Sequence, residues 1–281
     1  MILQYIVWNV NPEILPLGPL SLRYYGILFA AAFFFGYLIF KKIFEKEGYS
    51  IELLDQLTIY MALGTIIGAR LGHVLFYDPG YYFSNPLKII AIWEGGLASH
   101  GAAIGILTAL YLFIRKNKLS YLWLLDRIAI VIALSGVCIR LGNLMNSEIY
   151  GIPTSMPWGF LFVRSSEVVH GVEALVPRHP TQIYEALSYL AIFIFTFVSY
   201  FKGYFIKQKG KLFGIFLILL FGARFLIEYI KNPQEDFEKA LPFDMGQILS
   251  IPFIFIGIIL IINANRNNIL EKAEVKSKEP R

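Results

Sequence analysis

Several long apolar segments of the chain contain ionisable side chains that could support chemistry. Arg140 and Arg224 lie near the ends of two such segments, His100 lies near the start of a third, and Glu228 follows Arg224 by four residues. An ionisable group at the centre of a membrane helix costs at least about 2.5–3.5 kcal/mol, so each one indicates a partner or a function. Because a guanidinium group donates two parallel hydrogen bonds, a pair of arginines is suited to binding a phosphate.

Each of these residues also has a purely structural interpretation. Arg224 and Glu228 are spaced i and i+4, so they can neutralise each other or form a salt bridge between helices. A neutral His100 imidazole can accept a proton as a general base, and it can equally be a hydrogen-bonded packing residue. Cys138 has apolar neighbours on both sides, which indicates a plain apolar cysteine. The residue types alone leave the alternatives for the arginines and the histidine open.

The apolar segments have the length of membrane-spanning helices. Of the 281 residues, 57% are hydrophobic and 16% are charged, against about 25% charged in typical soluble domains. The apolar residues form blocks of about 17–22 residues, the length at which an α-helix crosses the hydrocarbon core of a bilayer. The sequence therefore predicts an all-α membrane protein with seven transmembrane helices, at about 22–40, 55–76, 95–114, 122–141, 183–201, 212–230 and 245–263.

The distribution of basic residues predicts how these helices are oriented. The loops and tail at one membrane face contain 15 lysines and arginines, and those at the opposite face contain 7. The positive-inside rule then places the N-terminus outside the cytoplasm and the C-terminus inside it. A sizeable extracytoplasmic segment, about 142–182, separates the fourth and fifth helices. In this orientation every predicted helix carries its polar residues in its outer half.

These assignments divide the chain into a membrane part and a tail. We interpret residues 1–263 as one multi-pass transmembrane domain and residues 264–281 as a polar cytoplasmic tail that is frayed or disordered. The net charge of +5 resides mainly in short loops between apolar segments, so it indicates membrane orientation and no nucleic-acid partner.

Small residues predict that two of the helices pack closely. Glycines recur every four residues in the second and third predicted helices, at Gly64, Gly68 and Gly72, then at Gly101 and Gly105. Such spacing lets two helix backbones approach each other within a membrane. Arg70 and His100, which lie among these glycines, are therefore predicted to face the inside of a helix bundle.

Four short motifs occur in order along the chain. They read GGLASHG at residues 95–101, RLGNLMNSEIYG at 140–151, RHPTQIYE at 178–185 and MGQILSIP at 245–252. Their order, their spacing and the seven-helix frame resemble the prolipoprotein diacylglyceryl transferase family over nearly the whole chain. Three positions depart from the family pattern: Ile139 replaces the usual glycine, Leu144 the usual phenylalanine, and Leu220 a tyrosine that is often found there.

The resemblance implies a function and a set of site residues. That family transfers the diacylglyceryl group of phosphatidylglycerol to the cysteine thiol in the lipobox of a prolipoprotein signal peptide, forming a thioether and releasing glycerol phosphate. It acts in the bacterial cytoplasmic membrane, among membrane lipids and toward the outer leaflet. By position, the implied catalytic residues are His100, Arg224 and Glu228. The implied substrate-binding residues are Tyr25, Arg140, Asn143, Asn146 and Glu148. Gly151, at the end of the second motif, and Arg70, inside the predicted bundle, complete the predicted substrate-binding set. The resemblance implies no metal and no cofactor.

Other classes of membrane protein also place charge in their helices. A transporter or a lipid-binding protein with an arginine-lined anion site is the main alternative, although transporters usually have repeats, and no repeat is evident here. A retinal protein needs a lysine in its seventh helix, and residues 245–263 contain none. Ser99 and His100 cannot form the dyad of an intramembrane protease, because adjacent residues do not share a helix face.

Overall fold

The computed structural model describes residues 5–17, 20–205, 207–232 and 243–278. Within these ranges the chain forms four short strands and ten α-helices. The strands are β1 (Ile6–Trp8), β2 (Glu13–Leu17), β3 (Leu20–Arg23) and β4 (Phe160–Phe162). The helices are α1 (Tyr24–Glu47), α2 (Ile51–Phe76), α3 (Pro79–Ser84), α4 (Pro86–Ile89), α5 (Ser99–Asn117), α6 (Tyr121–Met145), α7 (Ser166–Val169), α8 (Thr181–Phe201), α9 (Lys211–Glu228) and α10 (Met245–Lys278).

Long helices lie at all seven positions that the sequence predicts. Five helices in the described part of the chain are long and apolar enough to cross a membrane: α1, α2, α6, α8 and the Met245–Asn268 part of α10. Helices α5 and α9 are outside that group, and α9 has 18 residues that include Lys211, Arg224 and Glu228. The prediction of a multi-pass membrane protein built from apolar helices is confirmed, whereas the count of seven spans and their orientation stay predictions.

The polar tail is helical, so the prediction of fraying from residue 264 is wrong as far as Lys278. Ala264 is only 4% exposed, and the Asn265 side-chain oxygen accepts a hydrogen bond of 2.7 Å from the Lys211 ammonium group at the start of α9. Further along, the tail is rich in residues with high helix propensity, such as leucine, glutamate, lysine and alanine. These contacts and propensities extend α10 beyond its apolar part.

Two small sheets accompany the helices, and the all-α prediction did not include them. Strand β1 pairs in parallel with β4, and β2 pairs with β3 as an antiparallel hairpin. The Trp8 indole N–H donates a hydrogen bond of 2.9 Å to the carbonyl oxygen of Leu144, where α6 ends. Strands of three to five residues are too short to show a clear alternation of apolar and polar residues, which is why the sequence pattern did not reveal them.

By compactness the chain divides into two units, one formed by Met1–Gly36 with Leu125–Arg281 and the other by Tyr37–Leu124. In the second unit, a Cβ added to Gly68 of α2 would lie 2.5 Å from the Gly101 carbonyl oxygen and 2.7 Å from the Gly105 Cα of α5. The predicted close packing of these two helices is therefore confirmed. In the first unit, α6, α8 and α9 share an apolar core formed by Ala129, Ala133, Tyr189, Ile192, Phe216 and Leu217.

Candidate anion-binding site

The end of α6 turns sharply and brings the polar residues of the second motif together. Ser147 and Ile149 have φ angles of 55° and 59°, which are uncommon for residues other than glycine, especially for a β-branched residue. The start of α8 holds this turn, because the buried Gln182 amide donates a hydrogen bond of 2.7 Å to the Glu148 carbonyl oxygen. Thr181 donates another, of 3.0 Å, to the carbonyl oxygen of Ile149. The strained turn is thus fixed by side chains from a second helix.

Four residues of the second motif form a chain of hydrogen bonds. The Arg140 guanidinium donates to the Asn143 side-chain oxygen at 3.1 Å. The Asn143 and Asn146 amides both donate to the same carboxylate oxygen of Glu148, at 2.8 and 3.2 Å. These residues were predicted to share a pocket, and the structure brings them together, although their contact with a substrate stays a prediction.

A series of alternating charges extends from Arg140 across three elements. The Arg140 Nε lies 2.8 Å from one carboxylate oxygen of Glu185 on α8. The other oxygen of Glu185 lies 3.7 Å from the ammonium nitrogen of Lys231, which in turn donates a hydrogen bond of 3.3 Å to Glu228. Glu185 is completely buried, and Lys231 and Glu228 are also buried. The two cations and two carboxylates of this series neutralise one another in a largely buried part of the protein.

Glu228 therefore pairs with Lys231, and the proposed i, i+4 pair of Arg224 with Glu228 is not formed. Among the residues that the structure describes, Arg224 has no carboxylate oxygen within the 4.0 Å of an ion pair. A Cβ added to Gly246 would collide with the Glu228 carboxylate, which therefore lies at the N-terminus of α10. The helix dipole favours negative charge at that position. The Glu228 carboxylate thus contacts Lys231 and the start of α10, and it does not contact Arg224.

Tyr189 on α8 lies near both arginines of the site. Its hydroxyl group interacts electrostatically with Arg140 and with Arg224. The ring packs against α6 where Gly136 has no side chain; a Cβ there would lie 2.7 Å from a ring carbon. Arg140 and Arg224, on different helices, therefore approach the same tyrosine, as a shared anion site requires.

Buried polar atoms without a hydrogen-bond partner concentrate in this region. The described part of the chain has eight such side-chain atoms. Six of the eight belong to Asn146, Ser147, Gln182, Glu185 (both oxygens) and Arg224. The Glu185 oxygens have their ion pairs, but none has the geometry of a regular hydrogen bond. Unpartnered buried polar groups are uncommon in folded proteins and mark places where a ligand can bind.

Gly151 and Tyr25 occupy defined positions beside this cluster. A Cβ added to Gly151 would collide with the Ile230 carbonyl oxygen and with the side chains of His179 and Thr181. The half-buried Tyr25 packs its ring where Gly142 leaves room, and it interacts electrostatically with Glu148 and Arg140. Gly151 therefore allows close backbone packing, whereas the phenol of Tyr25 lies beside the polar groups of the site.

Arg70 lies in the second compact unit and is used to hold a loop. Its guanidinium group donates to the backbone carbonyl oxygens of Lys88, Ile89, Gly95 and Gly96, and it lies 4.9 Å from the ring centroid of Tyr82. Arg70 is 4% exposed. This geometry favours a role in positioning the loop that leads to His100 over direct contact with a substrate.

His100 lies in the first turn of α5 and is exposed. Its ring stacks on Tyr77, with centroids 5.9 Å apart and planes inclined by 25°, and it meets the edge of Phe76. His73 also stacks on Tyr77, and their ring centroids are 5.2 Å apart. The aromatic contacts fix the orientation of the His100 ring, and its role as a base stays a prediction.

Three residues of the site were not assigned a site role from the sequence: Tyr189, Glu185 and Lys231. Glu185 is the last residue of the RHPTQIYE motif, and a carboxylate inside an apolar helix is a signal that could have found it. The i, i+3 spacing of Glu228 and Lys231 is a second such signal. No comparable pattern marks Tyr189, because a tyrosine in an apolar helix is common.

Comparison with known proteins agrees with the motif resemblance. Residues 12–263 match the family model for prolipoprotein diacylglyceryl transferase. A phosphatidylglycerol–prolipoprotein diacylglyceryl transferase of Tolumonas auensis is 48% identical over 258 residues, covering 92% of this chain and 96% of that protein. Proteins of the same name from Chloroherpeton thalassium and Porphyromonas gingivalis are 45% and 47% identical; they cover 96% and 95% of this chain, and 98% of each relative is matched. The match extends over all four motifs.

Proposed function

The chain belongs to the prolipoprotein diacylglyceryl transferase family, and we propose that its acceptor is the cysteine thiol in the lipobox of a prolipoprotein signal peptide. The protein is a transferase that moves the diacylglyceryl group of phosphatidylglycerol to prolipoprotein. It acts in the bacterial cytoplasmic membrane, and the site opens toward the outer leaflet. This location agrees with the distribution of basic residues between the two sets of loops.

The reaction replaces one bond to a glyceryl carbon by another. The thiolate sulfur attacks the glyceryl carbon that bears the phosphate, a C–S bond forms, and the C–O bond breaks. The electron pair of that bond goes to the phosphate oxygen, which leaves with glycerol phosphate. The thiol proton goes to a base, for which His100 is the candidate. Donors that are already oriented toward the phosphate stabilise the negative charge that develops on the leaving oxygen.

The observation that carries this assignment is the position of the two arginines. The hydroxyl group of Tyr189 interacts electrostatically with both Arg140 and Arg224. Among the residues that the structure describes, the buried Nε of Arg224 has no hydrogen-bond partner. Arg140 is held by Glu185, whereas Arg224 has no carboxylate within ion-pair distance among the described residues. A phosphodiester brings one negative charge and several acceptor oxygens, which suits a guanidinium group whose buried Nε has no partner among the described residues.

The remaining site residues have supporting roles in this proposal. Asn143, Asn146 and Glu148 form a hydrogen-bonded group next to Arg140, so they shape the pocket for the glycerol headgroup. Tyr25 adds a phenol at the same place. Gly151 permits the backbone packing that holds this group. Glu228, at the end of α9, pairs with Lys231 and lies against the start of α10.

Transfer by the purified protein tests the proposal. The protein is incubated with headgroup-labelled phosphatidylglycerol and a peptide that contains a lipobox cysteine. We expect the peptide mass to increase by one diacylglyceryl group, together with release of labelled glycerol phosphate. A peptide with serine in place of the cysteine should not react. Binding of the lipid without any thioether product would instead support the alternative of a lipid-binding or transport protein.

A further inference from the structure

Lys231 is a buried cation placed between two carboxylates, just after the end of α9. Its ammonium nitrogen donates a hydrogen bond of 3.3 Å to Glu228 and lies 3.7 Å from Glu185. The residue is 4% exposed. Fully buried lysines are rare unless they are paired. This one pairs with two carboxylates, of which Glu185 also pairs with Arg140.

The backbone around Lys231 is fixed to the end of the second motif. Its N–H donates to the Glu228 carbonyl oxygen at 3.1 Å, and the N–H of Ile152 donates to the Ile230 carbonyl oxygen at 3.0 Å. Gly151 and Lys231 form an antiparallel bridge. The lysine side chain therefore starts from a backbone position that the rest of the site holds in place.

The geometry points to a positioning role for Lys231: it keeps Glu228 occupied, so that the guanidinium group of Arg224 remains available to the phosphate of the lipid. This inference rests on the proposed function. Glu228 follows Arg224 by four residues on α9, a spacing at which opposite charges on a helix normally meet. In this protein they do not pair, and the carboxylate of Glu228 points to Lys231 and the start of α10.

Charge balance gives the reason why the lysine matters. Arg140, Glu185, Lys231 and Glu228 form a neutral series of two cations and two carboxylates. Arg224 is outside the series, and within the described part of the chain no carboxylate compensates its positive charge. Without the ammonium group, the buried Glu228 carboxylate would lose its partner, and Arg224 is the nearest cation on the same helix. An Arg224 paired with Glu228 would no longer attract an anion.

Equilibrium binding of phosphatidylglycerol, measured without acceptor peptide, tests this role separately from turnover. Lys231→Met should raise the Kd for phosphatidylglycerol by at least about tenfold. Lys231→Arg keeps the charge and should stay within about threefold of the unchanged protein. The double variant Lys231→Met with Glu228→Gln removes the carboxylate that would capture Arg224, so its Kd should recover most of the loss. An uncharged lipid, diacylglycerol, should bind all variants equally.

Recovery in the double variant separates charge positioning from a merely structural effect. A double variant as weak as Lys231→Met, or a single variant with unchanged Kd, would overturn the inference. If Lys231→Met does not fold, Lys231→Gln, which retains a polar side chain, takes its place in the same comparison. The unchanged protein is assayed in parallel: failure to form the thioether would count against the proposed function, while the Kd series would still decide the role of Lys231.

Discussion

The Nε of Arg140 lies 2.8 Å from a carboxylate oxygen of Glu185, and Glu185 is completely buried. This ion pair joins α6 to α8 and fixes the direction of the arginine before any ligand binds. The Nη1 of the same guanidinium group is held by Asn143 at 3.1 Å. Arg140 is therefore pre-oriented, which reduces the ordering that substrate binding requires.

Glu185→Gln should destabilise the protein strongly, because Arg140 and Lys231 would lose the carboxylate between them. Removing one partner of a buried ion pair typically lowers the free energy of unfolding by about 3–5 kcal/mol. Thermal or denaturant unfolding in detergent micelles measures this change. Glu13→Gln is the control, since it breaks an exposed ion pair with Arg23 and should shift the unfolding transition far less. Equal shifts for the two variants would contradict the role of Glu185.

Arg140→Lys should reduce kcat/KM for diacylglyceryl transfer by about 10–150-fold. This range corresponds to the loss of one hydrogen bond to a charged group, which contributes about 1.5–3 kcal/mol. A single ammonium group cannot bind Glu185, Asn143 and a phosphate at the same time.

Arg140→Ala should abolish transfer while the protein still inserts into the membrane. Arg164→Lys is the matched control, because Arg164 is exposed and bonds only to Asn9 among the contacts described for it. Normal turnover by Arg140→Ala would remove Arg140 from the mechanism.

Gly151→Ala should impair both folding and transfer, whereas Gly222→Ala should not. A methyl group at Gly151 would collide with the Ile230 carbonyl oxygen, and the surrounding backbone cannot yield without disturbing Lys231. Nothing lies within 4 Å of a Cβ added to Gly222, in the interior of α9. Alanine at that position should stabilise the helix by up to about 1 kcal/mol. Expression level, melting temperature and transfer rate of the two variants provide the comparison.

His100→Gln tests whether the imidazole activates the thiol. Glutamine retains hydrogen-bonding capacity but cannot take up the thiol proton, so the rate should fall by about 10²–10⁴-fold and the limb of the pH–rate profile that belongs to the base should disappear. His73→Gln is the control, since His73 also stacks on the Tyr77 ring. A profile of unchanged shape in His100→Gln would assign proton removal to another group.

The sequence predicted the elements and the motif residues well, but it did not predict how the charges pair. Apolar blocks identified the seven long helices found in the described ranges, and the glycine spacing identified the contact between α2 and α5. The i, i+4 rule suggested a pair between Arg224 and Glu228, yet Glu228 bonds to Lys231. The pairing of Glu228 with Lys231 depends on where the chain turns after α9 and on the position of the N-terminus of α10. The spacing of residues within one helix gives no information about either. Arg70 shows the same limit, because its acceptors are carbonyl oxygens 18–26 residues away.

Tyr150→Phe should make the stability of the protein less sensitive to alkaline pH. Burial raises the pKa of the Tyr150 phenol well above its usual range, and the hydrogen bond to Glu173 adds to that effect. The folded protein therefore keeps the phenol proton above about pH 10, where the unfolded chain loses it. Because the unfolded state then binds fewer protons than the folded state, the contribution of Tyr150 is complete below pH 10 and declines as the pH rises further.

At pH 7 the Tyr150→Phe variant should be less stable, by about 1.5–3 kcal/mol, since the Glu173 carboxylate loses a hydrogen-bond donor. Between about pH 9.5 and 11 its melting temperature should fall less steeply than that of the unchanged protein. Tyr204→Phe, at a phenol that is 62% exposed, should leave both the stability at pH 7 and the alkaline slope unaltered. Lysine titration affects all three proteins alike, so it does not change the comparison. If the melting temperatures of Tyr150→Phe and of the unchanged protein fell equally steeply with pH, Tyr150 would ionise at the same pH in the folded and unfolded chains, and the prediction would be wrong.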